Sequence, residues 1–108
     1  MAKSSTGMEE NVAGLLCYLV GWLTGLIFFL IEKESKFVKF HAMQSIITFG
    51  ALFIIIWIFT FIPIIGWAIA SILCILEVVL WIVLMVKAYR GEKFKLPIAG
   101  DLAEKWSA

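Results

Sequence analysis

One stretch, residues 40–89, constrains the fold of this chain more than any other. Up to Val86 it is almost entirely apolar and contains a single charged residue, Glu77. Pro63 lacks a backbone donor and Gly66 favours a tight turn, so the stretch divides there into two segments. Each segment is long enough to cross a hydrocarbon core of about 30 Å as a helix. In lipid every backbone N–H and C=O group must be paired within the protein, as it is in a helix. The stretch therefore predicts a transmembrane helical hairpin.

A further apolar segment, residues 12–31, contains no charge and predicts a third membrane helix. No signal-peptide pattern precedes it, so we expect it to be retained. The hydrophobic fraction of 63% also exceeds the roughly 45–50% of soluble domains. We therefore expect an all-α integral membrane protein with three transmembrane helices and a short C-terminal interfacial helix. The expected spans are about 12–31, 40–62 and 67–87, and the interfacial helix is Leu102–Ser107. The expected division is a polar tail 1–11, a transmembrane domain 12–90 and a cytoplasmic or interfacial tail 91–108.

Small residues recur at four-residue spacing in the first and third segments, which permits close approach of helices in lipid. The first stripe is Ala13, Cys17, Gly21 and Gly25, and the second is Gly66, Ala70 and Cys74. Two interpretations stay open: packing within one chain, in which the second stripe receives the first, or a contact between copies in a homo-oligomer. The two cysteines lie inside apolar segments without metal-ligand spacing, so packing explains them more simply than a disulfide does.

Polar side chains inside the apolar segments form a second pattern. Lipid offers them no hydrogen-bond partner, so we expect them to face other helices. The residues concerned are His41, Gln44, Ser45, Thr48, Thr24 and Glu77. Counting from the charged loop places Thr24, Thr48 and Glu77 in one layer of a buried polar network. That network is either structural or a site that handles protons or cations; as a third alternative, Glu77 simply faces a subunit interface or a water-filled crevice. The chain has a single histidine, so no metal site is expected.

The basic residues predict the orientation in the membrane. The loop at 32–39 holds three lysines and the tail after Val86 holds five basic residues, against Lys3 alone near the N-terminus. With three spans, the loop and tail would lie in the cytoplasm and the N-terminus outside a prokaryotic plasma membrane. The alternating charges of the loop suit a solvated connection, or a site for lipid headgroups or a partner. The net charge of +1 gives no reason to expect nucleic-acid binding.

Three stretches are distinctive: the sequence KFVKFHAMQS at the entry to the second segment, the FIPIIGW turn, and the tail pattern A-Y-x-G-E-x-F-x-L-P-I-x-G-D. They resemble a family of small bacterial and archaeal membrane proteins that is grouped with the channel-forming subunit of the chloroplast inner-envelope (Tic) protein import translocon. The resemblance extends from about Met8 to Trp106. It implies an α-helical membrane protein, oligomeric and translocon-like, with no catalytic residues.

Two classes of function remain open from the sequence. The first is a non-enzymatic membrane module that self-associates or docks with larger membrane proteins. The second is a homo-oligomeric channel or transporter for protons or small ions, with Glu77 lining the path. An enzyme is not expected, because the chain lacks HExxH, paired aspartates and a nucleophile with an oxyanion site. The expected partners are the bilayer and other membrane proteins or further copies of the chain, without a cofactor.

Overall fold

Two long helices form the frame of the protein. The computed structural model describes residues 7–107, so the first six residues of the predicted N-terminal tail and Ala108 lie outside the described part. The helices are α1 (Glu10–Leu19), α2 (Trp22–Ile31), α3 (Lys36–Phe59), α4 (Ile65–Tyr89) and α5 (Ala99–Ser107). Of the described helices, α3 and α4 are long and apolar enough to cross a membrane. At 24 and 25 residues they measure about 36 Å, and most of their surface is exposed. The predicted hairpin of two long apolar helices is therefore present.

The predicted span at 12–31 is wrong, because the helix breaks in its middle. α1 and α2 have ten residues each and are separated by Val20 and Gly21. Gly21 adopts φ 64° and ψ −136°, a backbone conformation that residues with a Cβ rarely adopt. Each helix is about 15 Å long, which is half of what a span requires.

α1 and α2 form a hairpin that enters and leaves at the same end of α3. Both ends of the hairpin contact Ser35. The Ser35 hydroxyl donates to the Glu10 carboxylate at the start of α1. The Ser35 backbone N–H donates to Glu32 Oε2, just after α2, at 2.9 Å. At the other end of the hairpin, the Trp22 ring lies 6.0 Å from that of Phe53, well along α3. The hairpin thus reaches about two thirds of the way along α3 and turns back.

The beginning of α1 consequently lies beside the C-terminal end of α4. Asn11 Nδ2 donates to the Tyr89 carbonyl oxygen at 3.0 Å. The prediction that the N-terminal side of the first segment faces away from the charged loop and C-terminal tail is therefore wrong. Every described charged side chain except Glu77 lies at this end, which we call the charged end, and the opposite turn, 60–64, carries none. We call that opposite turn the far end.

The C-terminal tail folds back against α3 as well. Residues 92–96 are irregular and follow α3, and Pro97 and Ile98 line a groove with Ile47 and Leu52. α5 then returns toward the charged end, so that Glu104 lies 2.6 Å from Lys95. The predicted C-terminal helix is present but begins at Ala99 rather than Leu102.

The same four-residue pattern, Pro-Ile-x-Gly, builds the two reversals that precede α4 and α5. The turns are Pro63–Gly66 and Pro97–Gly100. The residue after each proline, Ile64 or Ile98, has a positive φ of 64° or 66°, which is unusual for a β-branched residue. In each turn the N–H two residues after the proline bonds to the proline carbonyl, at 2.8 Å and 2.7 Å. This is a γ-turn geometry, and a helix begins directly after it.

The far half of the bundle, residues 54–76, consists of α3 and α4 alone. Within it only Gly66 and Ala70 are buried, and Cys74 is exposed. Gly66 packs against the end of α3, where an added Cβ would lie 2.5 Å from Ile62 Cβ. The small residues of the first segment lie elsewhere: Ala13 and Cys17 are buried in the charged half, and Gly25 contacts Ala42 and Ser45 of α3. The structure therefore does not bring the two predicted stripes together.

Candidate functional site

A buried hydrogen-bond chain joins α1, α3 and the C-terminal tail near the charged end. His41 Nδ1 lies 2.6 Å from the Tyr18 hydroxyl, and His41 Nε2 lies 3.0 Å from the Glu92 carbonyl oxygen. A carbonyl can only accept, so Nε2 carries the proton and Nδ1 is the acceptor. Tyr18 therefore donates to His41. The geometry assigns the neutral Nε2–H tautomer to this histidine.

Gln44 completes this chain by using its whole side-chain amide. Its Nε2 donates to the Tyr18 hydroxyl oxygen and to the Phe94 carbonyl oxygen, both at 2.9 Å, and its Oε1 accepts from Leu96 N–H at 3.0 Å. The side chain is fully buried. Gln44 thus bonds to the tail as a neighbouring peptide group would, and it fixes residues 92–96 against α3.

Side chains also bond to the backbone at the break between α1 and α2. Three of them donate to carbonyl oxygens there, of which the Tyr18 and Gly21 carbonyls also accept from Gly21 N–H and Gly25 N–H. The pairs are Thr24 Oγ1 to Cys17 at 3.2 Å, Trp81 Nε1 to Tyr18 at 2.6 Å, and Ser45 Oγ to Gly21 at 2.8 Å. The Thr24 hydroxyl in addition accepts from Val20 N–H at 3.1 Å. Non-helical backbone inside a bilayer is tolerated only when it is satisfied by protein, and these donors meet that condition.

Replacing Thr24 with valine keeps the volume but removes the hydroxyl that bridges the break. We expect the free energy of unfolding, measured by denaturant titration in mixed micelles, to fall by about 1–2 kcal/mol. The matched control is Thr60→Val, because the Thr60 hydroxyl bonds only to a carbonyl in its own turn and is exposed at the far end. That change should cost about 0.5 kcal/mol or less. Equal losses from the two variants would contradict the role of Thr24 at the break.

Glu77 lies at the tip of the α1–α2 hairpin rather than in the predicted polar layer. It lines a groove of about 390 Å³ with Gly21, Trp22 and Phe53. It also lines a smaller groove of about 190 Å³ with Cys74. Within residues 7–107 its carboxyl group has no hydrogen bond or ion pair. The environment is a partly exposed, apolar crevice halfway along α4.

The six polar residues predicted to share a network are therefore divided. His41 and Gln44 bind the tail, and Ser45 and Thr24 bind the hairpin tip. The Thr48 hydroxyl is buried without a partner among the described residues, on the groove beside Pro97 and Ile98. Neither Thr48 nor Thr24 bonds to Glu77.

Sequence reasoning missed Tyr18 and Trp81, which link the network to the hairpin tip. A signal was present, because a buried tyrosine or tryptophan usually finds a partner for its polar atom and both lie inside apolar segments. The carbonyl groups of Glu92 and Phe94 carried no such signal, since every residue has one.

Ion pairs join residues 92–96 of the tail to α5 at the charged end. The Lys95 ammonium bonds to the Glu104 carboxylate, which raises the pKa of Lys95 and lowers the pKa of Glu104. A lowered carboxyl pKa means that this pair is intact at neutral pH and is lost as the pH falls through the pKa of Glu104. Lys93 lies 4.9 Å from the centre of the Phe40 ring. Within residues 7–107 no group of three or more His, Cys, Asp or Glu side chains is placed to hold a metal ion.

Comparison with known proteins gives consistent matches over most of the chain. Residues 7–103 match the profile of the family described as the magnetosome magnetite crystal formation protein family. A UPF0132 membrane protein of Methanocaldococcus jannaschii is 55% identical over 99% of this chain and 96% of its own length. A second from that organism is 51% identical over 93% of this chain and 71% of its own length. One from Archaeoglobus fulgidus is 51% identical over 91% and 95%. No solved structure matches the chain.

Proposed function

We propose that this chain, which belongs to the magnetosome magnetite crystal formation protein family, acts as a non-enzymatic membrane protein that self-associates in the bilayer. That it is a membrane protein rests on the names of its relatives and on the two apolar helices. Self-association is the step we add. The observation that carries it is the position of Glu77, halfway along a lipid-exposed helix in an apolar groove.

A carboxyl group at this depth is costly in lipid, by about 2.5–3.5 kcal/mol when charged on insertion scales. Such groups therefore face protein or water, and the described part of this chain gives Glu77 no partner. The occupant to which we commit is a second copy of the chain. In a two-fold interface the same surface meets itself, so the Glu77 carboxyls of two copies would face each other and could share protons. The bare far half of α3 and α4 leaves room for that approach.

Cys74 offers a direct test of this interface. It precedes Glu77 by three residues on the same helical face, lines the same smaller groove and is exposed. With Cys17 replaced by serine, we expect oxidation in membranes to join Cys74 of two copies by a disulfide. That reaction requires the two Cα atoms to come within about 7 Å. Glu77→Gln should retain the cross-link and Glu77→Leu should weaken it.

The control for this cross-link moves the thiol to the opposite face of α4. Ile72 is 65% exposed and lies two residues before Cys74. The variant carrying Cys17→Ser, Cys74→Ala and Ile72→Cys should remain monomeric on oxidation. Cross-linking of equal yield at both positions would indicate random collision, and an absence of cross-linking at Cys74 would contradict the interface.

We further propose that the charged end faces the cytoplasm of a plasma membrane. The basic residues of the described loop and tail lie at that end, and the far turn carries no charge, which agrees with the positive-inside rule. This places the start of α1 and the C-terminal tail on one side. An external N-terminus would require the first segment to span, whereas in this proposal the start of α1 lies at the cytoplasmic end.

A channel with Glu77 on its path is the alternative that the same residue supports. Apart from Glu77 the larger groove is lined mainly by apolar side chains, such as Phe49, Phe53 and Val78, which favours packing over ion passage. We expect proteoliposomes to show no proton or potassium flux above that of empty vesicles, for the native protein and for Glu77→Gln alike. Flux that is present in the native protein and lost in Glu77→Gln would instead establish the channel.

Docking with a larger, translocon-like complex is a third use of the same surface, and it rests on the resemblance of the tail and turn sequences. The mass of the Cys74 cross-linked product distinguishes docking with another protein from self-association. A product of twice the mass of the chain supports self-association, whereas a heterogeneous product containing another membrane protein supports docking.

A further inference from the structure

The protein is much wider at the charged end than at the far end. Around the first part of α3 lie both helices of the α1–α2 hairpin, the end of α4, the extended residues 92–96 and α5. Across residues 54–76 only α3 and α4 remain, and nearly all of their side chains reach the surface. The outline of the chain is therefore a wedge along the axis that crosses the membrane.

Both inserted segments end at a similar depth. The tip of the α1–α2 hairpin lines a groove with Phe49 and Phe53, and the Pro97–Ile98 turn lies beside Ile47 and Leu52. These residues of α3 lie between its middle and about two thirds of its length, so neither segment accompanies α3 and α4 through residues 54–76. The leaflet at the charged end thus contains more protein than the leaflet at the far end.

The side chains at both tips are suited to lipid rather than to water. Val20 at the hairpin tip is 58% exposed, and Ile98 at the tail turn is 76% exposed. Neither is charged, and the ionic residues of the tail, such as Lys95 and Glu104, stay nearer the charged end. A segment with an apolar tip and a charged base can place its tip among the acyl chains while its charges stay at the headgroup level of the same leaflet.

We infer that the protein is a single-leaflet wedge, which favours membranes whose charged-end leaflet is convex. Material inserted into one leaflet expands that leaflet relative to the other, and the free energy of the expanded leaflet falls when it bends outward. With the charged end in the cytoplasm, such membranes bulge into the cell. The ligand is the lipid surface itself, so this activity does not require the Glu77 interface.

The first part of the test establishes the topology that the wedge requires. In a chain with Cys17→Ser and Cys74→Ser, single cysteines replace Met8, Ile62 or Lys105, all outside the networks described above. A membrane-impermeant maleimide applied to one side should label positions 8 and 105 together and position 62 only from the opposite side. Labelling of positions 8 and 105 from opposite sides would mean that the first segment spans, and it would overturn the inference.

The second part measures curvature preference with two populations of otherwise equivalent protein. The chain is reconstituted into giant phosphatidylcholine vesicles in both orientations, and an impermeant dye labels only cysteines that face outward. Dye on position 105 then marks molecules with the charged end outward, and dye on position 62 marks the inverse orientation. In a narrow tube pulled outward, we expect enrichment of the first population by about twofold and depletion of the second to a similar degree. Equal densities in tube and vesicle, or enrichment of both populations, would overturn the wedge.

Discussion

Replacement of Gln44 by leucine is expected to detach the C-terminal tail and to lower the free energy of unfolding by about 3 kcal/mol or more. The change leaves the Phe94 carbonyl and Leu96 N–H without their partner and removes a bond to Tyr18. Each buried polar group that is left unpaired costs about 1–3 kcal/mol, so the losses at Phe94, Leu96 and Tyr18 together account for the expected decrease in the free energy of unfolding. Tail release can be followed separately from unfolding, as the rate of trypsin cleavage after Lys93.

Met43→Leu serves as the control, because Met43 is the partly buried neighbour of Gln44 and leucine conserves its volume. Such an exchange usually costs less than about 1.5 kcal/mol and should leave cleavage unchanged. If Gln44→Leu is cleaved no faster than the native chain, residues 92–96 are held by packing and not by the amide.

The second large effect is expected at Gly66, in the first helical turn of α4. An alanine Cβ there would overlap the Phe59 carbonyl oxygen and lie 2.5 Å from Ile62 Cβ. Both atoms belong to the end of α3 and its turn, which cannot move without opening the hairpin. We expect Gly66→Ala to lower the free energy of unfolding by about 3 kcal/mol. Denaturant titration in mixed micelles measures this loss.

Gly50→Ala is the matched substitution at a site with space. Its Cβ would lie 3.8 Å from Trp22 Cβ, an ordinary contact in the interior of α3. Alanine there should stabilise the helix by about 0.5–1 kcal/mol, as it does in helix interiors generally. A loss of similar size at both glycines would show that Gly66 is not distinguished by its close approach.

The two long apolar helices α3 and α4 could be predicted from sequence because their signal is local. Length, lack of charge and the Pro63–Gly66 turn determine them. The break near Gly21 has a different origin. Residues 12–31 are as apolar as a span, and the broken form depends on side chains from elsewhere, above all Trp81 and Ser45, which donate to the Tyr18 and Gly21 carbonyls at the break. A hydropathy pattern contains no record of such tertiary partners.

The candidate site could be predicted in part for the same reason. The polar face of α3 indicated that His41, Gln44 and Ser45 meet protein, and each of them has a partner. Depth counting then paired Thr24 with Glu77, since it assumed that the first segment crosses the membrane in one direction. In a hairpin that turns back, residue number no longer measures depth along a single line. The error in topology thus became an error in the network.

The uncharged far turn has a consequence for how the protein is made. Insertion of the α3–α4 hairpin carries one ionisable side chain, Glu77, partway into the bilayer and none of the described charges across it. The work done against the membrane potential during biogenesis is accordingly close to nothing, since about 2.3 kcal/mol per 100 mV applies only to charges that cross. No hydrophilic loop between α3 and α4 needs translocation either. In the orientation that we propose, the hairpin can therefore insert as one unit from the side on which it is synthesised, in an energised or a de-energised membrane.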